Sequence, residues 1–137
     1  MKKLLAVSLV IACILFSGCI NGSEEDNVKD VVRDYYSAYN SRDAEAVVGL
    51  FSSTVSGSGE EFDTFVANLE NVMTAADESN LELKIMRFLN VRIIDDEAAV
   101  NFDVQLTDDE REIYSNVTFE LVKEEGKWKI LEMVEEQ

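Results

Sequence analysis

The 137-residue sequence contains no histidine and no proline, and both of its cysteines fall at or before position 19. Without histidine the chain lacks the side chain most often used as a general base near neutral pH, and also the commonest metal ligand. Without proline its turns fall to Gly, Asn, Asp and Ser. Cations are scarce: 12 Lys and Arg stand against 28 Asp and Glu, a formal net charge of −16. Such a surface repels nucleic acid and anionic headgroups, so no nucleic-acid partner is expected. No apolar run reaches the roughly 20 residues of a membrane span.

What is present begins with a leader. Met1-Lys2-Lys3 is a basic start, and Leu4 to Phe16 is an apolar run of signal-peptide length. Phe16-Ser17-Gly18-Cys19 follows, which resembles the lipobox of prokaryotic lipoproteins. That resemblance implies cleavage before Cys19, a lipid on its thiol, and an extracytoplasmic domain held to the membrane. The expected organisation is a signal peptide over 1–18, a polar tether over 19–27 and one domain over 28–137. Cys13 is lost with the leader and Cys19 is capped, so the domain holds no free thiol or disulfide. The chain left after loss of the leader keeps 10 cations against 28 acids, a net charge of −18.

Periodicity gives the domain its elements. Val28, Val31, Val32, Tyr35, Tyr36 and Tyr39 form one stripe at helical spacing. Asn40-Ser41-Arg42-Asp43 breaks that helix, with Ser41 or Asp43 as the next cap, and Ala44 to Phe51 makes a short second helix. Ser52 to Gly59 reads as a loop with a short strand at Thr54-Val55. Ser58 and Glu61 fit a capping box for a third helix, carried by Phe62, Phe65, Val66, Leu69, Val72 and Met73. From Leu81 to Val134 the period changes to two. Leu81, Leu83, Ile85, Arg87, Leu89, Val91 and Ile93 share one face, then Val100, Phe102, Val104 and Leu106, then Ile113, Val117, Phe119 and Leu121, then Trp128, Ile130, Glu132 and Val134. Tight turns at Asp95-Asp96-Glu97, Thr107 to Glu110 and Glu125-Gly126-Lys127 make neighbours antiparallel. The expected class is α+β, with three N-terminal helices on a bent antiparallel sheet of four strands or slightly more, a cone-like roll.

The stretch from Val31-Val32-Arg33-Asp34-Tyr35-Tyr36 through Asn40-Ser41-Arg42-Asp43 to Leu50-Phe51 resembles the opening of the nuclear transport factor 2-like superfamily, which includes SnoaL and ketosteroid isomerase relatives. Gly126-Lys127-Trp128-Lys129-Ile130 resembles that superfamily's last hairpin. The resemblance implies a pocket between sheet and helices, and dimers formed through the outer face of the sheet. It also allows a residue-by-residue catalytic test. The oxyanion-stabilising Tyr of the isomerase branch falls at Tyr35. The segment that carries that branch's Asp base is Ser52 to Gly59 here, with no carboxylate, and the His-Asp pairs of the dehydratase branch are impossible. No catalytic residue, metal site or cofactor is therefore assigned.

The expected function is a lipid-anchored, non-enzymatic binding or accessory domain with a pocket for a small ligand or a surface for a protein partner. The alternative is an isomerase- or dehydratase-like enzyme using Tyr35, Arg87 or Glu132 on a small apolar substrate. Candidate pocket residues are Tyr35, Tyr39, Phe65, Arg87, Trp128 and Glu132, with Cys19 as the lipidation site. Strand parity aims Arg87 and Glu132 at the helices, where a buried Arg must be paired. One extra residue near Met86 reverses that reading, swinging Arg87 out and Met86 in. Met86, Phe88, Tyr114, Val122, Leu131 and Met133 carry the opposite parity, an apolar set on the outer face suited to a partner or a homodimer. Asp95-Asp96-Glu97 and Glu124-Glu125 emerge at one end as solvated turn charge. Asn21-Gly22-Ser23 and Asn116-Val117-Thr118 match the N-glycosylation pattern.

Overall fold

The computed structural model describes residues 24–136, so the expected leader, the expected lipid site at Cys19 and the Asn21 sequon lie outside the described residues. Among the described residues four helices precede four strands: α1 Glu24–Asn40, α2 Ala44–Val48, α3 Ser53–Ser56, α4 Glu60–Glu78, β1 Glu82–Ile94, β2 Glu97–Thr107, β3 Glu112–Glu124 and β4 Lys127–Glu136. The strands form one antiparallel sheet in the order β1-β2-β3-β4.

The first helix starts earlier than its apolar stripe because Glu24, Glu25 and Asp26 occupy its first turn, where carboxylates meet the unpaired amides. It buries Val28, Val32, Tyr36 and Tyr39. Arg42 then adopts a left-handed φ of 58°, and the Asp43 carboxylate accepts from the Ala46 amide (3.1 Å) to start α2. The Arg42 guanidinium donates to the Tyr39 and Leu81 carbonyls and lies 3.6 Å from Asp77. It thereby ties the ends of α1 and α4 to the start of β1. A one-turn helix replaces the loop expected at Ser53–Ser56, because Ser52 caps it through the Thr54 amide. The extra bridge falls at Phe51, not Thr54-Val55: Leu50 and Ser52 bond the Ile130 backbone and cover the edge of β4. The Ser58–Glu61 box does not form, and α4 starts from Gly59 without a side-chain cap.

The core lies between α1, α2 and the inner face of the sheet. Val100, Phe102, Phe119, Leu121 and Ile130 are buried there in one cluster with Val28, Val32 and Val47. Phe102, Phe119 and Tyr36 stack at its centre, with ring centroids 5.2 to 6.0 Å apart. The two central strands keep the alternation of the sequence without a break.

The edge strands do not. In β1 the pairing skips at Met86 and again at Leu89, so that Ile85 faces Val104, Arg87 faces Asp103, Phe88 faces Phe102 and Val91 faces Val100. Two single-residue bulges cancel. The parity is right at both ends of β1 and inverted between them. Arg87 and Leu89 therefore turn outward and Phe88 turns in, while Met86 stays exposed rather than swinging inward. In β4 the skip is at Leu131, where Leu121 faces Ile130 but Glu120 faces Glu132. Glu132 and Val134 move to the outer face, and Met133 moves to the inner one opposite Phe119. All three bulge residues are large, apolar and exposed.

Candidate functional site

The six candidate pocket residues do not converge. Tyr35, Tyr39 and Phe65 share the helix side through Phe51: Tyr35 lies 6.2 Å from both Tyr39 and Phe51, and Phe65 lies 5.6 Å from Phe51. Tyr35 also packs edge-on against Phe119 at 5.2 Å. Burial, with a smaller contribution from Tyr39, pushes the Tyr35 hydroxyl up to about 12. A phenol so placed stays neutral at neutral pH, and no carboxylate hydrogen-bonds it among the described residues. Burial likewise pushes Tyr36 up. Trp128 sits apart under the start of α1. Its indole N–H donates to Glu24 Oε2 (2.6 Å), while Lys123 Nζ donates to Glu24 Oε1 (2.9 Å) and lies over the indole. That clamp docks the first turn of α1 on the sheet.

Arg87 and Glu132 are on the other side of the sheet, which corrects the parity reading: the bulges at Met86 and Leu131 reverse both. Arg87 Nε donates to Asp103 Oδ2 (2.9 Å) with the guanidinium in solvent. Asp103 in turn accepts from Asn116 Nδ2 (2.9 Å), and Asn101 Nδ2 donates to Asn116 Oδ1 and Thr118 Oγ1 (both 2.8 Å). The Asn116 amide, then the Arg87 guanidinium, hold the Asp103 carboxyl below its usual range. The sequon asparagine is thus part of a half-buried polar ladder across β1, β2 and β3.

Nearer the hairpin turns the outer face carries a groove of about 290 Å³ lined by Arg92, Ile94, Glu97, Ala99, Glu120 and Leu131, among others. The register places four of the outer residues in one transverse row: Arg92 opposite Ala99, Ala99 opposite Glu120, Glu120 opposite Glu132. The adjacent Glu132 carboxylate, then burial and the charge of Glu97, push the Glu120 carboxyl up. Lys129, the next cation along β4, is turned over the sheet edge to donate to the Gly49 carbonyl (2.8 Å). Exposed Ile94 and Leu131 line this groove, exposed Met86 and Tyr114 line a separate hollow beside Arg87, Asp103 and Asn116, and exposed Val134 stands opposite Thr118. Of the expected outer apolar set, Met86, Tyr114 and Leu131 are exposed, Val122 is half-buried, and Phe88 and Met133 belong to the inner face. Among the described residues no three metal-ligating side chains gather.

Sequence reasoning missed the Glu24 clamp and a buried serine. Ser52 is fully buried, and its hydroxyl donates to Glu124 Oε2, which pins α3 to the end of β3. Neither has a local signal, since the partners lie 104 and 72 positions apart.

No curated protein sequence matches the chain. Among solved structures, an NTF2-like protein of unknown function from Shewanella oneidensis superimposes with a TM-score of 0.66 at 16% identity, over 82% of this chain and 98% of that one. An NTF2-like protein with a cystatin-like fold from Novosphingobium aromaticivorans gives 0.68 at 12% identity, over 88% and 86%. An NTF2-like protein of unknown function from Pseudomonas putida gives 0.67 at 11% identity, over 84% and 86%. At these identities the likeness establishes the fold: an α+β NTF2-like, cystatin-like roll. The SnoaL-like domain model matches residues 28–135, from the first buried valine of α1 to the end of β4, and the chain belongs to the SnoaL-like domain family.

Proposed function

We propose that this chain is a lipid-anchored, extracytoplasmic, non-enzymatic domain that works through the outer face of its sheet, with a second copy of itself as a partner. One observation carries the surface reading over the pocket reading. The inner side is filled by stacked rings, whereas the groove over Ala99 and the exposed Met86, Ile94, Tyr114, Leu131 and Val134 collect on the outer side. Tyr35 then serves as a wall of the aromatic core, in keeping with a raised hydroxyl that has no carboxylate beside it.

Attachment falls to Cys19 in Phe16-Ser17-Gly18-Cys19. Among the described residues no helix is long and apolar enough to cross a membrane. A diacyl group on Cys19 would supply the two chains that stable anchoring needs. Fractionation of cells expressing wild type and Cys19→Ser tests the anchor: the variant is expected to fold but keep its leader uncleaved. A variant that is processed and partitions into membranes like wild type would refute it. Co-purification of two differently tagged wild-type copies tests the surface, and its absence over a wide expression range would refute self-association.

A further inference from the structure

We infer that the groove over Ala99 binds a small zwitterion, with Arg92 holding its phosphate or carboxylate and Glu97 and Glu120 its primary ammonium. The inference names a ligand for the outer face, and it rests on that reading's choice of face but not on a second copy. One small residue makes the groove. Ala99 stands on β2 directly between Arg92 on β1 and Glu120 on β3. Along β2 its neighbours on the same face are Glu97 and Asn101. Asn101 is engaged with Asn116 and Thr118 (both 2.8 Å). The other three positions carry charge, and all three line the groove. Among the described residues none of the three belongs to an ion pair. Two strand spacings separate the backbones of Arg92 and Glu120 by about 10 Å, and side chains rise from a sheet rather than along it, so a slot remains over the Ala99 methyl. Ile94 and Leu131 supply apolar walls.

The charges around the slot select the ligand. Glu132 stands opposite Glu120, so one cation meets three carboxylates. The cations of β3 and β4 do not answer them: Lys129 is turned away to the Gly49 carbonyl, Lys123 is held by Glu24, and Lys127 lies nearer the turn, opposite Glu124. A simple anion on Arg92 would lie against Glu97 and Glu120, and a simple cation would lie against Arg92. A zwitterion satisfies both sides at once, through charge-assisted hydrogen bonds. Its ammonium also offsets the repulsion that pushes the Glu120 carboxyl up, from Glu132 first and then burial and Glu97. A volume of about 290 Å³ is at the small end of ligand sites, which start near about 300 Å³, so the ligand is the size of phosphoethanolamine or an amino acid. A lipid headgroup and a free solute share this chemistry. The groove lies at the strand ends that hold Glu24, which is five residues on from Cys19, a reach of about 17 Å from the proposed anchor.

Calorimetric titration of the full-length protein in non-ionic detergent with phosphoethanolamine tests the site. Saturable binding is expected, with inorganic phosphate and ethanolamine each at least about tenfold weaker, because each meets only one half of the groove. Ala99→Leu fills the slot and should abolish binding. Arg92→Gln and Glu120→Gln, both at exposed positions, should each weaken it at least about tenfold while thermal unfolding stays near wild type. No saturation in the wild type, an Ala99→Leu variant that binds like it, or phosphate that binds as tightly as phosphoethanolamine overturns the site. Reconstitution distinguishes the sources. Phosphatidylcholine has no ammonium N–H, so the titration should persist in its vesicles. Loss of the titration in phosphatidylethanolamine vesicles assigns the groove to a headgroup, and persistence there assigns it to a free zwitterion. Sedimentation of the same samples separates this inference from self-association: binding by a monomer keeps the groove without a second copy, and dimers that take up no phosphoethanolamine overturn the groove alone.

Discussion

The two bulges of β1 make opposite predictions for two neighbouring residues. Phe88 is half-buried, with its ring 5.9 Å from Phe102 and the Lys29 and Arg33 cations 5.3 and 5.1 Å from its face. A fully buried Phe→Ala costs about 3–5 kcal/mol. Half of that, plus about 0.5 kcal/mol of lost cation–π attraction, gives about 2–3 kcal/mol for Phe88→Ala. For a domain of this size that lowers Tm by roughly 10 °C. Arg87 has a side chain 71% exposed, and its ion pair with Asp103 is open to solvent. Arg87→Leu should change stability by no more than about 0.5 kcal/mol. A regular β1 inverts both numbers: Arg87 would be a buried charge whose removal from its pair costs about 3–5 kcal/mol, and Phe88 would be a surface ring whose loss costs little. Urea unfolding of the two variants, with unchanged m-values, decides between them. If Arg87→Leu is the costly one, the bulges at Met86 and Leu89 are wrong, and Arg87 returns to the inner face as a pocket residue.

Two further outcomes follow from local geometry. The hydrogen bond from Lys123, then that from Trp128, hold the Glu24 carboxyl below its usual range, so its contribution is present above the unfolded carboxylate pKa of about 4.3 and is lost as pH falls through the lower folded value. Glu24→Gln should therefore lower Tm at pH 7 and converge on wild type at strongly acid pH; a gap that persists there refutes the clamp. Glu125 and Gly126 both have positive φ, 52° and 80°, and no atom lies within 4 Å of a Cβ built on Gly126. Gly126→Ala should cost about 1 kcal/mol of backbone strain alone and Gly126→Asn less, by denaturant titration; equal costs would place the strain elsewhere.

The parts of the fold that were legible in the sequence are those where burial on one face dictates the pattern. Central strands β2 and β3 pair on both edges and bury every second residue, so Val100, Phe102 and Val104, and Val117, Phe119 and Leu121, announce themselves. Edge strands pair on one side only and accept an extra residue at little cost, and period-two reasoning has no signal for a single inserted position. Hence strand parity alone points Arg87 and Glu132 at the wrong face, each one residue past a bulge, whereas the alternative of an extra residue near Met86 gives Arg87 its observed place though not Met86. The candidate pocket was legible only in part for a second reason. Periodicity tells which aromatics face inward but not whether their rings fill the space, and here Tyr35, Tyr36, Phe51, Phe102 and Phe119 stack on one another. The Arg92–Glu132 row needs the register of three strand pairs at once.

The two open edges of the sheet are closed by different means. At β4 the backbone of Leu50 to Ser52 takes up the Ile130 amide and carbonyl. At β1 the Asn40 side chain occupies the Leu83 amide and carbonyl, but no segment pairs with the strand beyond that point among the described residues. There the chain gathers half of the domain's ten cations: Lys84, Arg87 and Arg92 on the strand, Lys29 and Arg33 leaning over Phe88 from α1. Charged side chains and bulges are the usual means of discouraging edge-to-edge pairing, because an added strand would have to desolvate the first and distort over the second. Concentrating the cations at β1 has a second effect. It places half of the domain's positive charge along one edge, while β4 at the other edge carries Lys127 and Lys129 beside its carboxylates. Replacing Lys84, Arg87 and Arg92 together by Thr should therefore expose β1 and raise light scattering at matched concentration, and a variant as monodisperse as wild type would count against the protection.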